Sequence, residues 1–274
     1  MNFAEYRALP GVNWSSLKLV EQSAKHYRHA VDNPNHVETD AMRLGTAVHT
    51  ALLEPEAWAD SIAVYGGTRR GKVWQEFQDA NPGKAILKAD AMAKVLAMQA
   101  AVHADPVARR YLNGAGSNER TIQWTDEATG IVCKGRADRV ADNVCGDRVL
   151  VDVKTTRDAS PRAFGQSAGR LGYHAQLAFY ADGLAARGEP VDKVVILAVE
   201  SAPPYDCGIL ILDDATLELG QYTYRALLER VRDCREAGDW PGRYVQESSL
   251  QLPAWMWAHD DDEDASAGLV GLEG

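Results

Sequence analysis

Residues 135–154 read GRADRVADNVCGDRVLVDVK, and their pattern decides the fold. A strand over 120–125, a turn-like DEATG at 126–130 and a second strand over 131–140 together predict a hairpin. The next run, 147–155, is β-branched and apolar enough to be an interior strand. Asp138 falls near the end of the second strand. Asp152 and Lys154 stand two apart on the third, so their side chains project from one sheet face. Burying them among Val and Leu is costly unless they pair or bind something. Two carboxylates converging beside a lysine make an oxygen-rich site suited to Mg²⁺ or Mn²⁺. An Asp–Lys ion pair at a strand end accounts for the same three residues equally well.

Three further groups carry polar residues in unusual places. Residues 171–187 read as a helix on which Tyr173, Gln176 and Tyr180 share a face. Gln176 lies amid Ala and Leu, where an unpartnered amide is costly. It either positions a water or a phosphate or is solvated on an amphipathic helix. The helix over 42–53 carries Gly45 and His49 four apart, and Gly45 is expected to let the His49 face approach another element closely. His49 reads as a core histidine unless a carboxylate pair accompanies it. The loop GGTRRGK at 66–72 offers Arg69, Arg70 and Lys72 as phosphate contacts, with Trp74 to stack on a base or wedge a duplex. The alternative is a solvated basic loop with Trp74 packed in the core.

Outside these groups, residues 14–31, 89–104 and 215–237 read as helices, the first capped by Asn13 or Ser15, and 193–200 and 207–212 read as strands flanking a Pro-Pro turn. The order predicts an α/β class, a sheet flanked by helices. The chain reads as one domain over 1–259, mainly helical over 1–115 with the sheet core over 116–240. An acidic, disordered tail is expected over 260–274. With 46% hydrophobic and 25% charged residues, disorder of the whole length is excluded. The net charge is −10, but six acidic residues follow His259 without one Lys or Arg, so the balance does not exclude a nucleic-acid partner. The four cysteines form no CxxC pair, which argues for reduced thiols rather than a disulfide framework or a zinc site. No apolar run reaches the ~18 residues of a membrane span, and no signal-peptide layout opens the chain. A cytoplasmic protein without membrane partners is the expectation.

The ordered set GTAVHTALLEP, GRADR, VLVDVKTT and QLAFY resembles the PD-(D/E)XK nuclease superfamily. Within it, the chain is most similar to the exonuclease VIII-type (RecE-like) nucleases of phages and prophages. NWSSLKLVEQSAKHYRHA and TRRGKVWQEF extend that similarity, which covers roughly residues 10–235. The resemblance implies a restriction-endonuclease-like core, a mixed central β-sheet flanked by helices, with an N-terminal helical elaboration. It implies Asp138 and Asp152 as the two acidic positions, Lys154 as the lysine, and His49 as the helical histidine completing the metal shell. Gln176 and Tyr180 match the QxxxY element. Glu119 falls where related exonucleases often carry an additional acid; an exposed glutamate beside Arg120 is the alternative. Ala137 stands where many members have proline.

The implied activity is Mg²⁺-dependent hydrolysis of phosphodiester bonds at linear duplex DNA ends, yielding single strands for recombination, with Mn²⁺ able to substitute. Asp138, Asp152, His49 and the Val153 carbonyl would hold the ion. Lys154 would stabilise the developing charge, and accept a proton if burial depresses its pKa. Gln176 would position the nucleophile and Tyr180 would hold the backbone beside it. A single-strand or structure-specific endonuclease of the same fold, and a catalytically silent DNA-binding or inhibitory protein, are the rival readings. By family analogy, a single-strand annealing protein and a homo-oligomer enter as partners.

Overall fold

Capping side chains set where the helices begin. In the computed structural model, which describes residues 3–34 and 39–256, α1 (Phe3–Ala8) precedes α2 (Trp14–Leu17) and α3 (Ala24–Asp32). The single helix expected over 14–31 is broken. The Asn13 side chain accepts from the Ser16 N–H and starts α2, but a 3-10 turn follows at Lys18–Glu21. The Ser23 side chain then accepts from the His26 N–H and starts a new helix. Each such cap contributes about 1 kcal/mol, enough to fix a boundary that apolar spacing alone leaves blurred. Thr39 caps α4 (Asp40–Leu53) in the same way.

The N-terminal part is not wholly helical. After α5 (Trp58–Ser61), β1 (Ile62–Val64) pairs in parallel with β2 (Ala85–Leu87) across α6 (Lys72–Ala80). Then come α7 (Ala89–Ala104) and α8 (Pro106–Leu112), the latter capped by Asp105 with Pro106 in its first turn. Strands this short carry too little alternation to be read from sequence.

The main sheet is built from β3 (Gly116–Thr125), β4 (Val132–Val144), β5 (Asp147–Thr156), β6 (Lys193–Glu200) and β7 (Cys207–Ile211), in that spatial order. Among the described residues it is mixed: β5 and β6 run parallel and every other neighbouring pair is antiparallel. The parallel step is bridged by α9 (Pro161–Leu171) and α10 (Tyr173–Ala186), and α11 (Asp214–Ala237) follows β7. The helix expected over 171–187 begins at Tyr173, because Gly172 adopts φ +73 and separates it from α9. A Cβ on Gly172 would also sit 2.9 Å from the Trp14 ring, so both backbone and packing require glycine there.

Two apolar layers sandwich the sheet. One joins α2, α3, α10 and α11 through Trp14, Leu17, Phe179, Leu184 and Leu228 to Leu150 and Ile196. The other joins α4, α7 and α8 through Val48, Ala51, Met98 and Ala108 to Val149, Val151, Val153 and Leu197. Alternation along β5 therefore puts Asp152 and Lys154 on the α10 side, in register with Leu150. Lys134 fastens the N-terminal segment to the sheet: its ammonium donates to the carbonyls of Tyr6, Arg7 and Leu9 at 3.3, 3.1 and 2.6 Å. No described helix is long and apolar enough to cross a membrane. The tail expected at 260–274, and Asn35 of the turn expected after α3, lie outside the described residues.

Candidate active site

The site lies where β4 and β5 part. Asp138 is in the middle of β4, which runs on to Val144 rather than ending near it as the sequence reading had it. Pairing of β4 with β5 begins at Arg139 opposite Val151, so beyond it Val153 has no β4 backbone partner. Its N–H donates instead to Asp138 Oδ2 at 2.7 Å. The carbonyl of a strand residue faces the same edge as its N–H, so the Val153 carbonyl also faces this fork.

His49 arrives from α4, with Nδ1 3.3 Å from Asp138 Oδ2. Glu119 arrives from β3. One ligand atom each from His49, Glu119 and Asp138 lie within 4.8 Å of one another, a donor set that fits a divalent cation. Glu119 has φ +50, in the left-handed region, and is the one residue of β3 without a partner in the otherwise continuous β3–β4 register. Holding a non-glycine residue there costs about 1–3 kcal/mol and persists only where surrounding contacts impose it. Arg136 Nε donates to Glu119 Oε2 at 2.5 Å. The partner of Glu119 is thus Arg136, and Arg120 pairs elsewhere, with Glu189.

Lys154 Nζ lies 2.5 Å from Asp152 Oδ2, with side chains only 15% and 2% exposed. The ammonium also sits 4.9 Å from the centre of the Tyr173 ring. Gln176 donates to the Tyr180 hydroxyl at 3.3 Å, so the face predicted from spacing is real and the amide has a partner. Gly135 makes this approach possible: a Cβ there would lie 2.7 Å from the Tyr180 ring. Gly45 plays no such part. A Cβ on it would make ordinary contact with Thr155 at 3.8 Å, and the small residues that seat α4 on the sheet are Ala47 and Ala51.

The charges are coupled. Burial would lift the Asp138 carboxyl, yet His49, Lys154 and the Val153 N–H hold it below its ordinary value. Burial disfavours the imidazolium, but Asp138 outweighs it and raises His49. Burial lifts Asp152 against the pull of Lys154, and burial with Asp138 lifts Glu119 against the pull of Arg136. Burial would lower Lys154, but Asp152 and Asp138 outweigh it and hold the group above its ordinary value.

Sequence reasoning missed the residues that set this geometry. Arg139, buried, donates to Asn118 Oδ1 at 2.6 Å and to the carbonyls of Tyr111 and Gly114. Asn118 in turn donates to the Leu53 carbonyl at the end of α4. The two arginines of GRADR thus fix Glu119 and the helix that carries His49; the run of charged residues Lys134, Arg136, Asp138 and Arg139 within one largely buried strand was the available signal.

The basic loop is tied to the start of α4 and to β2. Arg69 donates to Asp40 Oδ1 and the Ile86 carbonyl, both at 2.7 Å, and lies over the Trp74 ring. Trp74 packs against Tyr65, which also contacts Phe77. Arg70 is exposed, and Lys72 is 88% exposed with Glu76 3.6 Å away.

Sheet order, fork and donor set define a PD-(D/E)XK-like α/β domain. Over residues 13–248 the chain matches the family described as "PDDEXK-like domain of unknown function (DUF3799)" and belongs to it. Its fold is similar to the crystal structure of a protein from Eubacterium rectale described as a putative exonuclease, with a TM-score of 0.64 and 15% identity over 98% of this chain and 99% of that one. A second solved structure, SSO0001, overlays 77% of this chain and 86% of its own with 15% identity, at a TM-score of 0.30 too low to bear on the fold. No curated protein matches.

Proposed function

We propose that the chain is a metal-dependent deoxyribonuclease that hydrolyses phosphodiester bonds at linear duplex DNA ends, leaving single strands for recombination in the manner of the RecE-like exonucleases. The observation that carries this reading is the convergence of His49, Glu119 and Asp138 beside the buried Asp152–Lys154 pair. His49, Asp138, Asp152, the Val153 carbonyl and Glu119 would hold Mg²⁺ or Mn²⁺. Bound there, the ion supplies Lewis-acid polarisation of a phosphate oxygen and a more acidic water.

The remaining chemistry belongs to the chain. Lys154, held between Asp152 and the Tyr173 ring, would stabilise the charge that builds on the phosphoryl oxygens. Gln176, steadied by Tyr180, orients the attacking water. Arg70 and Lys72, the exposed cations of the loop, would contact phosphates of the duplex, with Arg69 and Trp74 holding the loop's shape. A single-strand annealing protein and a ring-like homo-oligomer fit this role as partners.

The test is end-labelled linear duplex incubated with Mg²⁺ beside closed circular DNA, using wild type, Lys154→Ala and Asp152→Ala. Release of labelled nucleotide from the linear substrate by wild type alone is the expected result. Equal digestion of both topologies would assign an endonuclease, and equal activity in all three proteins would remove the assignment.

A further inference from the structure

A cavity of about 420 Å³ opens along the free edge of β3, between that strand and the N-terminal segment at Leu9. It is within the range of about 300–1,000 Å³ usual for ligand pockets. Glu119 is part of its wall, so it adjoins the three-residue donor set. The other polar walls are Ser117, Asn118, Thr121, Gln123, Arg120 and Arg187.

Its electrostatics run against those of the chain as a whole. Glu189 receives three guanidinium groups: Arg120 at 2.7 Å, Arg148 at 3.2 Å and Arg187 at 3.6 Å. One carboxylate cannot neutralise three cations, and among the described residues only Arg148 of the three pairs with a second acid, Asp142 at 3.4 Å. Arg120 and Arg187, the two that face the cavity, therefore leave surplus positive charge there in a chain of net charge −10. The larger cavity, beside the N-terminus of α4, mixes Arg43, Arg69 and Lys88 with Asp40 and Asp90, and its wall includes none of His49, Glu119 and Asp138.

The walls also offer what a phosphodiester backbone needs. β3 is an edge strand, and Arg187 donates to the Gln123 carbonyl, which shows that this carbonyl faces outward. Outward backbone N–H groups, hydroxyls, amides and guanidinium groups are the usual phosphate and sugar contacts. Among the described residues no aromatic ring lines the cavity, so nothing there stacks a base.

We propose that this groove holds the sugar-phosphate backbone of one DNA strand flanking the scissile bond, with Arg120 and Arg187 as its phosphate contacts and Glu189 as the group that keeps both guanidinium groups in place. The inference rests on the nuclease reading and names the path of the strand into that site.

The test uses the full chain in EDTA, so that binding is read without cleavage. A fluorescent oligo(dT) is titrated by anisotropy at several salt concentrations against wild type, Arg187→Ala, Arg120→Ala and Glu189→Gln, with melting temperatures as the folding check. Each arginine variant is expected to bind about fivefold more weakly or worse, with a salt slope lower by about 0.7, the value of one phosphate contact on a single strand. Glu189→Gln, which unmasks positive charge, is expected to bind more tightly. Arg187 is exposed at the end of α10, so its variant carries the test if Arg120→Ala does not fold.

A wild-type chain that binds and cleaves DNA, with an Arg187→Ala variant of unchanged affinity and slope, overturns the groove and leaves the nuclease reading standing. Unchanged affinity with concentration-dependent association would assign the arginines to protection of the sheet edge and would overturn it too. A wild-type chain that neither binds oligo(dT) nor cleaves duplex DNA removes both.

Discussion

The Val153 N–H donates to Asp138 Oδ2 at 2.7 Å, so a side chain of β4 takes the place of the backbone acceptor that β5 loses where the two strands part. Asp138 has two tasks, one structural and one electrostatic, and they separate by substitution. Asp138→Asn keeps an oxygen for Val153 and discards the charge; Asp138→Ala discards both. Both variants are expected to lose nuclease activity by a factor of about 10³ or more, as loss of a preorganised charged group does. Only the alanine should be less stable, by about 1–3 kcal/mol for the orphaned N–H. Thermal denaturation beside the DNA digestion assay checks this, and equal melting of the two variants would count against it.

The donor set mixes one imidazole with carboxylates, which favours Mn²⁺ over Mg²⁺ in affinity. Calorimetric titration of the protein with Mn²⁺ is expected to show binding that weakens about tenfold or more in His49→Ala and in Glu119→Gln, at least the loss seen when an outer partner of a metal ligand is removed. Titrations indistinguishable from wild type would take both residues out of the set.

Lys154 and Asp152 form a buried pair, so removing one partner strands the other. Lys154→Ala is expected to destabilise the fold by about 3–5 kcal/mol in denaturant unfolding. The double variant Lys154→Ala/Asp152→Asn should recover much of that stability and none of the activity. If the double variant is as unstable as the single one, packing rather than charge holds this part of the sheet.

Two glycines make opposite predictions. Gly45→Ala adds a Cβ at ordinary contact distance inside a helix and is expected to stabilise by about 0.5–1 kcal/mol. Gly135→Ala drives a Cβ into the Tyr180 ring, is expected to cost about 1–3 kcal/mol, and should displace Gln176 and lower kcat. Melting temperatures of the pair, shifting in opposite directions, are the check.

What the sequence made legible was whatever repeats along one element. The interior strand with Asp152 and Lys154 on one face, the Gln176–Tyr180 spacing and the α4 span all follow from periods of two and 3.6. What it hid depends on approach between elements. That Glu119 turns in through a left-handed backbone, that Gly135 rather than Gly45 marks the tight contact, and that Arg136 and Arg139 hold the site from behind are facts of tertiary distance. The resemblance proposed Glu119 as an additional acid, but no periodicity could give its conformation. The split of 14–31 was lost differently: Ser23 was present as a cap, but the apolar spacing ran through it.

Because His49 is borne on the layer of α4 and α7, while Gln176 and Tyr180 are borne on the layer of α10 and α11, the proposed mechanism needs both halves of the sandwich. A chain whose sheet survives but whose α4 layer has come away would look folded to circular dichroism and still be inert. On that mechanism, DNA hydrolysis would be a finer gauge of native assembly than any spectroscopic signal from the sheet.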